Sequence, residues 1–261
     1  AGVESTTGFE GIIDELIVWD TALTETHVTE LYNSGTPLDG SDHSLASDMQ
    51  YYFKNGHYHS SGKIKDFVGS NTATVTNSSS FDRVFLREGI TEGKDCQGFP
   101  VTINQAYNGG ALFDGISDYI DCGNGTAIDN IFNGGGTVMI WVKALSPRSN
   151  IHFASKGGNG NQGWQFGCDS YTSNAFHVQF IHQHASTDGM VRKNGSLLLN
   201  TWTHYVITYN SNPTGSKPVL YKNGALVTSL DTDQASAGDY VSDAGYQLDI
   251  GRRSTSDQYN F

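Results

Sequence analysis

The residues with chemistry to offer are acids, histidines and a few aromatics. Asp14 and Glu15 are adjacent in "GIIDELIVW", and Asp114, Asp118 and Asp121 crowd "FDGISDYID". Glycoside hydrolysis needs two carboxylates facing one cleft. On an extended strand, that requires even spacing. Neighbours such as Asp14 and Glu15, or the odd-spaced Asp118 and Asp121, point to opposite faces. No G-x-S-x-G, H-E-x-x-H or phosphate-loop pattern occurs. The expectation is a protein that is not an enzyme.

His177, His182 and His184 lie close together, and His182 and His184 share a face if their strand continues. A metal pair is one reading. Polar side chains on a solvated sheet face are the plainer one. The Asp residues suit a hard cation, Ca²⁺, better. Asp114 and Asp118 cluster at a turn, and Asp14 and Asp66 fall near strand ends, so these four are the candidate ligands. Asp is equally a turn former, and Asx turns are the competing reading. Glycan binding would need an exposed aromatic platform with polar neighbours. Trp141 and Trp202 lie in the strongest strand patterns and read as core. Trp164, Tyr171 and His182 are the candidate ligand-binding residues, because "GWQFGCDSY" ends in a loop. Packing in the core or at the rim is the alternative for each.

These residues must be positioned by strands. The chain has 261 residues and 31 Gly, with many Asn, Ser and Thr between short β-branched and aromatic runs. That pattern predicts an all-β protein rich in turns. Strands are predicted at 11–19, 49–54, 72–77, 110–115, 118–122, 137–144, 150–156, 163–169, 175–183, 204–210, 219–229 and 246–251. In 175–183, Phe176, Val178, Phe180 and His182 share one face. Asn223-Gly224 signals a hairpin with a type I′ turn. One short surface helix is expected after Thr24, with Val28, Leu31 and Tyr32 at helical spacing and Gly35 beyond its end. Residues 36–48 read as a linker, and 78–109 as an irregular insertion.

Net charge is −12. Phosphate recognition needs clustered Lys and Arg, so nucleic acid and anionic membranes are disfavoured as partners. No run approaches the roughly 20 apolar residues of a membrane span. Position 1 is not Met, as in a processed chain or a piece of a longer one. Cys96, Cys122 and Cys168 are too few for a disulfide framework and leave at least one thiol free.

"GALFDGISDYIDCGN", "TVMIWVKA", "IHFASKGG", "GWQFGCD", "TWTHYVITYN", "KPVLYKNGALVTS" and "LDIGRRS" follow one another in an order that resembles the laminin-G-like, concanavalin A-like family. The resemblance implies a two-sheet antiparallel jelly-roll sandwich. The family's closing piece is similar to Phe9, Gly11, Ile13-Asp14-Glu15, Trp19 and Ala22-Leu23, which here stand at the front. Residues 1–35 are therefore expected to form a closing strand and helix, joined by 36–48 to a main body at 49–261. That strand either completes its own domain or is donated to a neighbour, because one strand and one helix bury too little to order alone. Phe261 takes the place of Phe9 in the pattern, as in one period of a repeat.

The junction "ELYNSGTPLDGSDHSLASDMQYYFK" is similar to a segment of marine tailed-bacteriophage structural proteins that carry laminin-G-like domains. Asp39-Gly40 stands where Asp-Leu is usual, and Tyr51 to Lys54 replace a Trp-Trp-Arg-Met run. The resemblance implies a structural or adhesion module of a virion or extracellular assembly, whose partners are like subunits or other surface proteins. A lectin-like glycan-binding module is the alternative, and a glycanase the remote one. Rim Ca²⁺ is also something the family implies.

Overall fold

The computed structural model describes residues 9–59, 63–76, 90–94, 100–103, 110–157 and 161–253, with backbone only for 55–59, 90–94 and 100–103. Cys96 and most of the expected insertion at 78–109 lie outside the described residues.

The first strand, β1 (Glu10–Trp19), is buried along nearly its whole length. Its neighbours are β2 (Met49–His59), β7 (Ala111–Asp114) and β9 (Gly136–Ala144), all antiparallel and all of its own chain. β9 runs beside most of β1. On the other side, β7 pairs with Glu10 to Ile13 and β2 with Leu16 to Trp19. The partner changes at Asp14-Glu15, where the register against β9 also slips. Glu15 absorbs the slip in a left-handed conformation, φ 50°. This is a β-bulge, and its two residues escape the alternation of a regular strand.

The remaining strands continue outward in both directions. On one side β9 is followed by β14 (Thr203–Tyr209), β15 (Val219–Lys222) and β16 (Ala225–Leu226). On the other, β2 leads through β3 (Lys63–Asp66), β4 (Thr72–Thr76) and β8 (Tyr119–Asp121) to β18 (Leu248–Ile250). The order ends with β10 (Ile151–Lys156), β11 (Trp164–Thr172), β12 (Ala175–His182), β13 (Gly189–Leu198) and β17 (Thr232–Gln234). Two further strands, β5 (Ile90–Lys94) and β6 (Pro100–Ile103), pair only with each other.

This ladder folds over into two layers. Val138, Ile140 and Tyr205 from one end share a core with Phe166, Phe180 and Val178 from the other. Tyr205 meets Phe166 across the layers, ring centres 6.4 Å apart. The expected all-β sandwich is the observed architecture.

A second apolar cluster lies on the outer face of the β1 sheet: Ile17, Trp19, Met139, Trp141, Val206 and Tyr221. Helix α1 (Glu25–Tyr32) covers it with Val28 and Leu31. Residues 33–48 extend the cover, so the stretch 36–48 expected as a linker packs on the sheet. Trp19 Nε1 donates to the Leu45 carbonyl at 3.1 Å, Gly40 N to Tyr52 Oη at 3.0 Å, and Ser44 N to Glu30 at 2.8 Å. The Asn223-Gly224 turn has positive φ at both residues, 50° and 77°, as the hairpin signal required.

β1 supplies a filled central position that β2 and β9 both need for hydrogen bonding. Deleting residues 1–34 is therefore expected to abolish the cooperative thermal transition seen by near-UV circular dichroism. A truncated chain that still melts cooperatively would show that the sheet closes without β1.

Candidate functional site

The acids predicted as a Ca²⁺ set do not converge on an ion. Asp66 ends β3, as the strand-end expectation had it, and is fully buried. Its Oδ1 accepts from Tyr52 N at 3.1 Å and Val68 N at 3.0 Å, and its Oδ2 from Asn71 at 3.3 Å. It ties the β3–β4 turn to β2. Asp114 Oδ1 accepts from the N–H groups of Ile116, Ser117 and Asp118 at 2.8 to 3.2 Å. That arrangement is an Asx turn. Asp118 Oδ2 accepts from Asp114 N at 3.0 Å, which leaves buried Asp118 Oδ1 without a partner among the described residues. Asp14 lies in the bulge and accepts from Glu15 N at 2.9 Å.

Of these four, Asp114 and Asp118 are brought together, while Asp14 and Asp66 hold separate backbone segments. Among the described residues, no group of three or more His, Cys, Asp or Glu side chains is arranged for a metal. The carboxylates of Asp66 and Asp114 accept from backbone N–H groups, as turn-forming Asp residues do.

Glu15 was expected to point away from Asp14, yet the bulge buries both. Burial, then the charge of Asp14, raises the Glu15 carboxyl well above its ordinary range. Tyr52 Oη donates to it. Since Gly40 N donates in turn to Tyr52, this chain of bonds fastens the covering segment to the sheet.

The aromatic candidates also fall differently from expectation. Trp164 is 1% exposed and packs against Phe132 and Phe180. It is in phase with Phe166 and Cys168, which are core, so it offers no platform. His182 is likewise 1% exposed, edge-on to Phe132 and in contact with His184, Nδ1 to Nε2 at 3.2 Å. Burial, then the neighbouring His184, lowers its pKa to about 3, so it is neutral in the fold. Tyr171 is half-buried against Phe176, ring centres 4.8 Å apart. Cys122 and Cys168 are free and buried.

The residues that sequence reasoning missed lie on the opposite side of the same strands. Strand register lines up Ile120, Ile250, Ala154, Phe166, Phe180 and Val191 in one core row. By the two-residue period, the adjacent rows face outward. One contains Asp121, Asp249, Ser155, Gln165, Ile181 and Met190. The next contains His152, Gly167, Gln179 and Arg192. Gly167 lets β10 approach closely, since a Cβ there would sit 2.1 Å from the Ile151 carbonyl.

Side chains on these rows are fixed by each other. His152 Nε2 donates to Gln165 Oε1 at 3.1 Å. Arg192 bonds Asp169 at 3.0 Å and His177 Nδ1 at 2.8 Å. Arg252 bonds Asp249 at 3.1 Å and lies over the Tyr119 ring, 3.2 Å from its centre. Burial pushes Asp249 up to about 6, against the pull of Arg252. Gln165 and Gln179 are half-buried on these outward rows. A half-buried polar sheet face with ordered amides, a guanidinium and an aromatic ring has the chemistry of hydroxyl recognition.

The chain matches the model of the concanavalin A-like lectin/glucanase superfamily, of the laminin G type, over residues 113–261. That is more than half of the sequence, and the chain belongs to this family. The match covers β10, β11, β12, β13 and β18, while β1, α1 and β2 precede it. A search of curated proteins found no match. Family membership implies a carbohydrate-binding or structural module.

Asp118 gives a pH test that also bears on the ion. Burial, then the charge of Asp114, raises its pKa to about 6. The folded state therefore holds its proton more tightly than the unfolded one. Stability is lost as pH rises from about 4 to about 6 and stays lost above that. Asp118→Asn is expected to raise the melting temperature at pH 7 to 8 and to have little effect at pH 4. Millimolar Ca²⁺ is expected to leave both proteins unchanged. Loss of stability in the variant, together with a Ca²⁺-dependent rise in the parent, would restore the ion site.

Proposed function

We propose that this chain is a non-enzymatic adhesion module that recognises glycan on the open face formed by β18, β10, β11, β12 and β13. The observation that carries this reading is an asymmetry. One outer sheet face is sealed by α1 and residues 33–48, while among the described residues the other presents Tyr119, His152, Gln165, Gln179 and Arg192. The acids that would have to serve a glycanase hold structural contacts instead: Glu15 with Tyr52, Asp66 with Tyr52 and Val68, and Asp114 with its own turn.

The finer setting follows from the junction. Its similarity to phage structural proteins favours a virion or another extracellular assembly, with like subunits or surface proteins as partners. In that setting the module would display its open face to a host or matrix glycan.

Glycan-array screening with and without Ca²⁺ tests the reading. Binding is expected in both conditions. The variant Gln179→Ala is expected to weaken it about fivefold with an unchanged melting temperature. Each lost hydrogen bond is worth about 1 kcal/mol. An array with no binder would remove the glycan reading and leave the scaffolding one. Release of reducing sugar from a polysaccharide would contradict the non-enzymatic assignment.

A further inference from the structure

Lys156 closes β10, flanked in register by the core residues Trp164 and Leu248. Its side chain is fully buried. Nζ lies 2.7 Å from Asp129 Oδ1, 2.7 Å from the Asp243 carbonyl and 3.2 Å from Asp243 Oδ1. The Asp243 side chain is 1% exposed and that of Asp129 is 18% exposed. Asp243 is held in place by a reciprocal pair with Asn130: Asn130 N donates to its Oδ1 at 2.7 Å, and Asp243 N to Asn130 Oδ1 at 3.1 Å. Its other oxygen, Oδ2, is buried and has no partner among the described residues.

An amine, a carboxyl carbon and a second acid are thus assembled where water is excluded. A buried ion pair is a costly way to fill such a site, because both charges lose their hydration. A covalent bond removes both charges. Burial also raises the Asp243 carboxyl, against the pull of Lys156, which favours the protonated acid that the reaction needs.

We propose that Lys156 and Asp243 condense spontaneously to an intramolecular isopeptide bond, with Asp129 as the proton shuttle. A proton passes from the Lys156 ammonium to the Asp243 carboxylate. The Nζ lone pair then attacks Asp243 Cγ, and Asp129 takes a proton from Nζ. Asp129 returns that proton to Oδ2, the Cγ–Oδ2 bond breaks and water leaves. One ammonium and one carboxylate become one amide and one water, with no change of oxidation state and no co-reactant. Fixed proximity supplies the driving geometry, as in other intramolecular reactions, and Asp129 supplies general acid–base help. The remaining amide N–H keeps its bond to Asp129. The product would staple β10 to the turn before β18, one edge of the proposed open face.

The experiment is intact-mass spectrometry of the full chain, folded and held at neutral pH, followed by digestion and fragmentation. The expected result is a mass one water below the sequence mass and a branched peptide joining Lys156 to Asp243. Asp129→Asn is expected to slow formation at least tenfold, and Lys156→Arg to restore the sequence mass. A folded parent at the full sequence mass overturns the proposal. So does a branch at Asp129, or a water loss that persists in Lys156→Arg, which would mark a succinimide at Asp39-Gly40, Asp114-Gly115 or Asp188-Gly189. The parent's fragmentation decides the matter even if a variant fails to fold.

Discussion

A strand buried on both faces and both edges has to satisfy every backbone N–H and C=O from its neighbours. β1 is such a strand, and no single neighbour runs its full length on both sides. β9 takes one edge. β7 and β2 divide the other and meet at Asp14-Glu15. The bulge is the geometric result, and its cost is a non-glycine residue in the left-handed region. That cost is offset locally. The displaced Glu15 carboxyl finds Tyr52, which finds Gly40, so a defect in pairing becomes the anchor of the segment covering the sheet.

The consequence reaches the functional face. Once residues 33–48 are anchored, α1 lies over Trp19, Met139 and Trp141, and that face is closed to ligands. The proposed recognition is left to the other sheet. Its surface is polar because its inward rows already supply the core with Phe166, Phe180 and Val191. The same strands thus do two jobs on two faces, and alternation keeps the jobs separate.

Much of the fold was legible, and the reasons are specific. Runs such as "TVMIWVKA" and "HYVITYN" are apolar on both faces and declared themselves as strands. Asn223-Gly224 marked its hairpin through the positive φ that only a few residues tolerate. β13 was not legible. "GMVRKNGSLL" carries Arg, Lys, Asn and Gly, and becomes a strand because β12 and β17 pair with it on either side. β3 and β17 are short and polar for the same reason. At edges and exposed faces, tertiary pairing overrides local propensity.

The candidate site was misread where two rules competed. Trp164 and His182 were weighed as rim residues from their residue type, yet alternation placed them in phase with Phe166 and Phe180. Phase should have prevailed, because a single slip would turn every core side chain of the strand toward solvent. The same logic points to Gln165 and Gln179, which look unremarkable alone but lie opposite the core row. The bulge shows where phase itself fails. Asp14 and Glu15 obeyed neither face, because pairing of β1 with three strands cannot be read from β1. A sequence displays the alternation of one strand, whereas register is a property of the pair. The face proposed to bind is set by register.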